Sequence, residues 1–170
     1  MNLKDCIRDV PDFPKEGIIF KDITPLWRDG KAFAASIDEI AAKYVNEQID
    51  LVVGIDARGF IVGAPVAYKL GVGFIPVRKP GKLPYKTTSI SYSLEYGTDT
   101  VEIHEDAISP GQRILIVDDL LATGGTTTAV AGLVEKLGGV IVGIEFLVNL
   151  TFLNGKDKLK GYNISSLIEY

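Results

Sequence analysis

In 170 residues the chain has one cysteine, Cys6, one histidine, His104, and one tryptophan, Trp27. A single cysteine excludes an internal disulfide and fits a reducing compartment. No residue cluster has metal-ligand spacing, no serine is set beside a base, and there is no lysine-bearing phosphate loop. Zinc enzymes, triad hydrolases and P-loop ATPases therefore find no support. His104 falls on an expected strand and reads as structural, and Trp27 and Cys6 read as packing or surface residues. Positive charge is not in excess: 18 basic against 22 acidic side chains give a net charge of −4. That balance gives no reason to expect nucleic-acid or membrane-surface binding, although local basic clusters still matter. No apolar run reaches membrane-spanning length. Met1 to Val10 carries Lys4, Asp5, Arg8 and Asp9 and lacks the apolar centre of a secretory leader. There are no repeats or low-complexity tracts, and the expectation is a soluble, cytoplasmic protein.

With 46% hydrophobic residues, a chain of this length forms one compact domain, residues 1–170, with a substantial core. Lys31 to Asn46 carries Phe33, Ile37, Ile40, Ala41, Tyr44 and Val45 at helical spacing, with Asp29-Gly30 just before it. Leu51 to Ile55 reads as a short strand, followed by an apolar helix to about Leu70 and a strand at Phe74 to Val77. Two strands joined through such a helix form a parallel crossover unit. Thr87 to Leu94 and Val101 to Ile103 alternate around Glu95-Tyr96-Gly97 and predict an antiparallel pair. Val140 to Leu150 and Tyr162 to Ile168 predict two more strands. The class is α/β, with a mostly parallel central sheet flanked by helices and a small amino-terminal lobe, where Phe13 to Pro25 reads as a strand packed in the core.

The most informative stretch runs from Ile114 to Thr126. Ile114-Leu115-Ile116-Val117 reads as a strand buried on both faces, as strands of parallel sheets are. It ends in Asp118-Asp119, then turns through Leu120-Leu121-Ala122-Thr123-Gly124-Gly125-Thr126 into a helix reaching about Leu137. Ala122, Thr123, Gly124, Gly125 and Thr126 offer consecutive N–H groups and two hydroxyls at a helix start, where the dipole favours an anion such as a phosphate monoester. Two adjacent carboxylates repel each other and any nearby phosphate. Ribose hydroxyls, a divalent metal on the substrate, or a developing positive charge on a sugar would each offset that. A second strand-to-helix turn, Gly54-Ile55-Asp56-Ala57-Arg58-Gly59-Phe60, adds N–H donors and a guanidinium able to hold phosphate in a fork, or else a surface Asp-Arg pair capping a helix. Arg78, Lys79 and Lys82 gather three cations at the end of a strand, either as a solvated turn or as a third anion-binding element.

These segments together resemble the type I phosphoribosyltransferase family in its adenine-specific branch, and the resemblance covers about Pro11 to Tyr170. It implies transfer of phosphoribose from 5-phosphoribosyl 1-pyrophosphate to adenine, giving AMP and pyrophosphate. In the implied site Asp118 and Asp119 hold the ribose, Ala122 to Thr126 its phosphate, and Asp56, Ala57, Arg58, Arg78, Lys79 and Lys82 the pyrophosphate. A non-proline cis peptide falls between Asp56 and Ala57. No metal is ligated directly; Mg2+ enters mainly on the substrate. The first thirty or so residues form a hood in which Phe20 and Leu120 sandwich the purine, and main-chain groups of Ile19 and Lys21 read its exocyclic amine and ring nitrogens. Many relatives have Arg where Lys21 stands, which matters only if a side chain does the reading. Tyr92-Ser93-Leu94-Glu95-Tyr96-Gly97 resembles a flexible hairpin flap whose glutamate, Glu95, takes or relays the purine proton, with Tyr96 positioning the leaving group; by itself the run reads as a hairpin with a polar tip. A homodimer is also implied. A transferase for another purine, or a sensor that keeps the sugar-phosphate site without chemistry, are the competing readings.

Overall fold

A computed structural model of the chain describes residues 1–94 and 96–170. Its centre is a sheet of five strands, β3 (Leu51–Ile55), β4 (Gly73–Val77), β7 (Arg113–Leu121), β8 (Val140–Asn149) and β9 (Ile164–Glu169). They lie in the order β4-β3-β7-β8-β9, every neighbouring pair parallel. The chain leaves β3 through α3 (Arg58–Leu70) to β4 on one side, and leaves β7 through α4 (Gly125–Lys136) to β8 on the other. The winding direction therefore reverses between β3 and β7, and in open α/β sheets the crevice at the carboxyl ends of such a strand pair receives ligands. Both strand-to-helix turns singled out in the sequence end there.

Period-2 alternation in β7 feeds two cores. Leu115 and Val117 join Val52, Leu147, α3 and helix α2 (Gly30–Tyr44) on one face. Ile114 and Ile116 join Val53, Ile144, Phe146 and, from α4, Val130, Ala131, Leu133 and Val134 on the other, all fully buried. Helix α2 starts where expected because the Asp29 carboxylate accepts hydrogen bonds from the Lys31 and Ala32 N–H groups. It ends at Tyr44, leaving Val45 exposed beyond it. The predicted antiparallel pair is β5 (Thr87–Ser93) with β6 (Thr98–His104), in register Ser93 to Thr98 through Thr87 to His104. It packs on α4 through Ile90 and Tyr92.

Two local expectations need correction. β7 does not stop at the acid pair: Asp118, Leu120 and Leu121 pair with Phe146, Val148 and Asn149 of β8, so the carboxylates project from the last turns of a continuous strand. The span Phe13 to Pro25 is not one core strand. Only β2 (Ile19–Asp22) is extended, paired antiparallel with β1 (Arg8–Pro11), and Thr24 opens a short helix, α1 (Thr24–Arg28), with Pro25 in its first turn. Ile18 and Ile19 are 37 and 57% exposed because they line an open chamber instead of the core, and Phe13, 51% exposed, packs edge-on against Phe20.

Candidate functional site

At the carboxyl ends of β3 and β7 lies a cavity of about 270 Å³, lined by Asp56, Ala57 and Arg58, by Asp118 through Thr127, and by Lys79. The Asp56–Ala57 peptide bond is cis, as the resemblance implies. Beside it an apolar chamber of about 600 Å³ is walled by Gly17 through Lys21, Leu150, Phe152, Leu153 and Tyr170. Arg58, Leu120 and Ala122 line both. The polar cavity and the apolar chamber thus share one wall, an arrangement suited to a ligand with an anionic end and a flat, mostly apolar end.

The acid pair is electrostatically strained. Asp118 is partly accessible in the cavity wall, and its Oδ1 accepts the Asp119 N–H at 2.9 Å. Withdrawal from water and the neighbouring Asp119 charge push its carboxyl well above the usual range. Asp119 is 3% exposed. Burial raises it too, against the opposing pull of Arg58, whose Nε stands 3.0 Å from Asp119 Oδ2. That contact is an ion pair without hydrogen-bond geometry, and Asp119 Oδ2 has no hydrogen-bond donor among the described residues. A buried carboxylate oxygen lacking a donor is a site for a ligand hydroxyl.

The cations are held in pairs. Arg78 Nε lies 3.1 Å and Lys82 Nζ 3.4 Å from Asp56 Oδ2. Burial would raise Asp56, but the hydrogen bond from Arg78 and the two positive charges outweigh it and hold the carboxyl below its ordinary value. Lys79 pairs with Asp99 and stands over the Tyr92 ring. Burial would lower Lys79, and the hydrogen bond to Asp99 overrides that and raises it. Arg78 and Lys82 do not line the cavity; they flank it through Asp56.

The loop after β7 is built by close backbone approach. Gly124 has φ +86, and a Cβ there would fall 2.5 Å from the Gly155 carbonyl oxygen. Gly59, in the first turn of α3, leaves room for the acid pair: its Cβ would lie 2.6 Å from Asp118 Oδ1. The Tyr92 hydroxyl sits 2.9 Å from Thr126 Oγ1, tying the β5–β6 hairpin to the loop.

Phe20, Ile19 and Lys21 line the apolar chamber opposite Leu120. The Phe20 ring faces Phe13 edge-on and lies under the Arg58 guanidinium, 5.9 Å away. Lys21 Nζ is occupied, paired with Asp9 at 2.6 Å and set over the Tyr170 ring. Tyr96 is 88% exposed and borders neither space. Glu95 lies outside the described residues. Sequence reasoning missed Asp99 and Tyr92, which anchor Lys79 and Thr126. It also missed the carboxyl-terminal wall, Leu150, Phe152, Leu153 and Tyr170. A terminal apolar segment carries no local pattern that announces a chamber; only the sheet order, which sets β8 beside β7 and β9 beside β8, brings it there.

A polar cavity at a reversal point, with an acid pair and an Ala-Thr-Gly-Gly-Thr loop, is the arrangement of a phosphoribosyltransferase, and residues 28–162 match the family of the phosphoribosyl transferase domain, to which the chain belongs. An adenine phosphoribosyltransferase of Clostridium perfringens is 61% identical over 170 residues, spanning 100% of this chain and 99% of that one. A crystal structure of the Thermoanaerobacter pseudethanolicus adenine phosphoribosyltransferase is 60% identical, with TM-score 0.95 over 99% of this chain and 98% of that one. The Saccharomyces cerevisiae enzyme, complexed with an imino-altritol bisphosphate and adenine, is 40% identical, with TM-score 0.90 over 95 and 94% of the two chains. Within its family, the chain belongs with the adenine phosphoribosyltransferases.

Proposed function

We propose that the chain transfers the 5-phosphoribosyl group from phosphoribosyl pyrophosphate to adenine, forming AMP and pyrophosphate for purine salvage. The observation that carries this reading is the shared wall of Arg58, Leu120 and Ala122 between an anion-lined cavity and an apolar chamber. A wall shared in this way supports a sugar phosphate lying beside a planar base. The yeast relative's complex with adenine supports the choice of base.

In this reading the 5′-phosphate sits on the N–H groups of Ala122 to Thr126, and the ribose hydroxyls donate to Asp118 and Asp119. The pyrophosphate meets Arg58 and Lys79, with Asp56 and Ala57 in the turn beneath and Arg78 and Lys82 behind. Adenine lies between Phe20 and Leu120, its amine and ring nitrogens met by main-chain groups of Ile19 and Lys21. A carbonyl accepts from an amine and not from a keto oxygen, so an adenine-shaped pattern rejects oxopurines. As the anomeric carbon–oxygen bond breaks, the sugar gains positive charge that the two carboxylates stabilise more than they stabilise the ground state. The purine N9 then forms the new bond, and its proton passes to Glu95.

The described residues hold no cluster of three or more carboxylate, histidine or cysteine side chains suited to a metal. Asp119 is already engaged by Arg58. This donor set fits a magnesium ion that would be held mainly through the substrate and would add positive charge on the departing side. The reading further takes residues 1–170 as one domain, with the amino-terminal hairpin as the hood over the base, and the protein as a cytoplasmic homodimer. No helix among the described residues is long and apolar enough to cross a membrane.

Chromatography of a reaction containing adenine, phosphoribosyl pyrophosphate and magnesium tests the proposal. AMP that accumulates over many turnovers, and fails to form with Arg58→Ala, is expected. Tight sugar-phosphate binding with no AMP would leave a sensor instead.

A further inference from the structure

Lys158 stands apart from every other cation around the polar cavity. Arg58 is paired with Asp119, Arg78 and Lys82 with Asp56, and Lys79 with Asp99. Lys158 has no ion pair and donates no hydrogen bond among the described residues, although its Nζ lies 4.0 Å from the point where a Gly125 Cβ would be. Its position is fixed by the backbone. The short 3-10 segment Gly155–Leu159 is pressed on the loop after β7: a Cβ on Gly155 would collide with the Ala122 carbonyl oxygen, and one on Gly124 would sit 2.5 Å from the Gly155 carbonyl oxygen. Leu159, fully buried, anchors the far end. Thr128 Oγ1 donates to the Gly124 carbonyl at 2.7 Å and is 3.5 Å from the Lys158 carbonyl oxygen, spanning loop and segment.

The loop Ala122 to Thr126 contains no cation of its own, whereas a phosphate monoester carries close to two negative charges at neutral pH. We propose that Lys158 supplies the missing charge, its ammonium closing on the 5′-phosphate of the sugar over the side-chain-free Gly125. This assignment rests on the phosphoribosyl reading above and adds a residue to it. A lysine on a flexible stem acts as a point charge here and takes no part in bond breaking. It should therefore govern affinity for every ligand bearing the 5′-phosphate and leave turnover nearly untouched.

The test compares Lys158→Ala, Lys158→Arg and, as control, Lys156→Ala, whose lysine is already paired with Glu169 at 3.0 Å. Each is titrated with ribose 5-phosphate, pyrophosphate and adenine, alongside steady-state kinetics and thermal unfolding. For Lys158→Ala the ribose 5-phosphate dissociation constant and the KM for phosphoribosyl pyrophosphate should rise about tenfold, the usual size for one charge-assisted hydrogen bond. The difference should shrink at high salt. Lys158→Arg should recover most of the loss, and kcat, pyrophosphate affinity and the melting temperature should not move. Unchanged ribose 5-phosphate affinity in Lys158→Ala, or an equal loss for pyrophosphate, would overturn the assignment while wild-type AMP synthesis left the function standing. A wild-type protein that makes no AMP would remove the function and this inference with it.

Discussion

Asp118 and Asp119 are placed where carboxylates cost stability. Burial raises both, and the Asp119 charge raises Asp118 further, so the folded chain holds a proton more tightly than the unfolded chain does. Stability contributed by such a group is intact below the ordinary aspartate value, about 4, and declines as pH rises from there toward the folded value. Asp118→Asn removes the charge yet keeps an oxygen to accept the Asp119 N–H. The variant should melt higher than wild type at pH 7 without ligand, lose the difference near pH 4, and turn over about a hundredfold or more slowly. Calorimetry across pH with kinetics at pH 7 checks both halves; a lower melting temperature at pH 7 would show that the pair is not strained. Gly59→Ala is a separate test of the same corner. A Cβ 2.6 Å from Asp118 Oδ1 cannot fit without moving α3 or the carboxylate. The expected loss is about 1–3 kcal/mol in stability, with activity falling further than stability alone explains.

The β5–β6 hairpin reaches the cavity through two contacts, Lys79 with Asp99 and Tyr92 with Thr126. Asp99 pairs with the cation that the pyrophosphate is proposed to use. Asp99→Asn should therefore lower the KM for phosphoribosyl pyrophosphate about two- to fivefold, the usual worth of a half-exposed ion pair; a raised KM would mean that Asp99 positions Lys79 instead of competing for it. The same elements show what sequence reading reaches. β7 with its loop and α4, and β3 with its turn and α3, were readable because strand, turn chemistry and helix start follow one another without interruption. The hood was not. Ile18, Ile19 and Phe20 are apolar, and apolarity alone does not distinguish a residue facing the core from one facing a ligand chamber. Asp99 and Tyr170 were equally hidden, since their partners lie 20 or more residues away in Lys79 and in Lys21 and Lys4.

Across the whole molecule, one topological feature accounts for the site. The sheet order β4-β3-β7-β8-β9 reverses between β3 and β7, which brings the Asp56 to Arg58 turn and the Asp118 to Thr126 run to one crevice. The amino-terminal hairpin and the carboxyl-terminal wall then close the adjoining chamber from opposite ends of the chain. Asp22 helps hold that hairpin: the Thr24 hydroxyl and Arg8 keep its carboxyl down at about 2. Its support is present above about pH 4 and is lost as pH falls toward 2. Asp22→Ala should accordingly weaken adenine binding at pH 7 with little change for pyrophosphate, a split that isothermal titration resolves. The proposed homodimer should sediment at twice 18.4 kDa; a mass of 18.4 kDa would contradict that assembly.

The most direct test is pyrophosphate release by the purified protein with magnesium and phosphoribosyl pyrophosphate, run separately with adenine, hypoxanthine, guanine and xanthine. Release with adenine alone is predicted. Release with an oxopurine would contradict the reading of the base chamber, and no release with any base would contradict the chemistry itself.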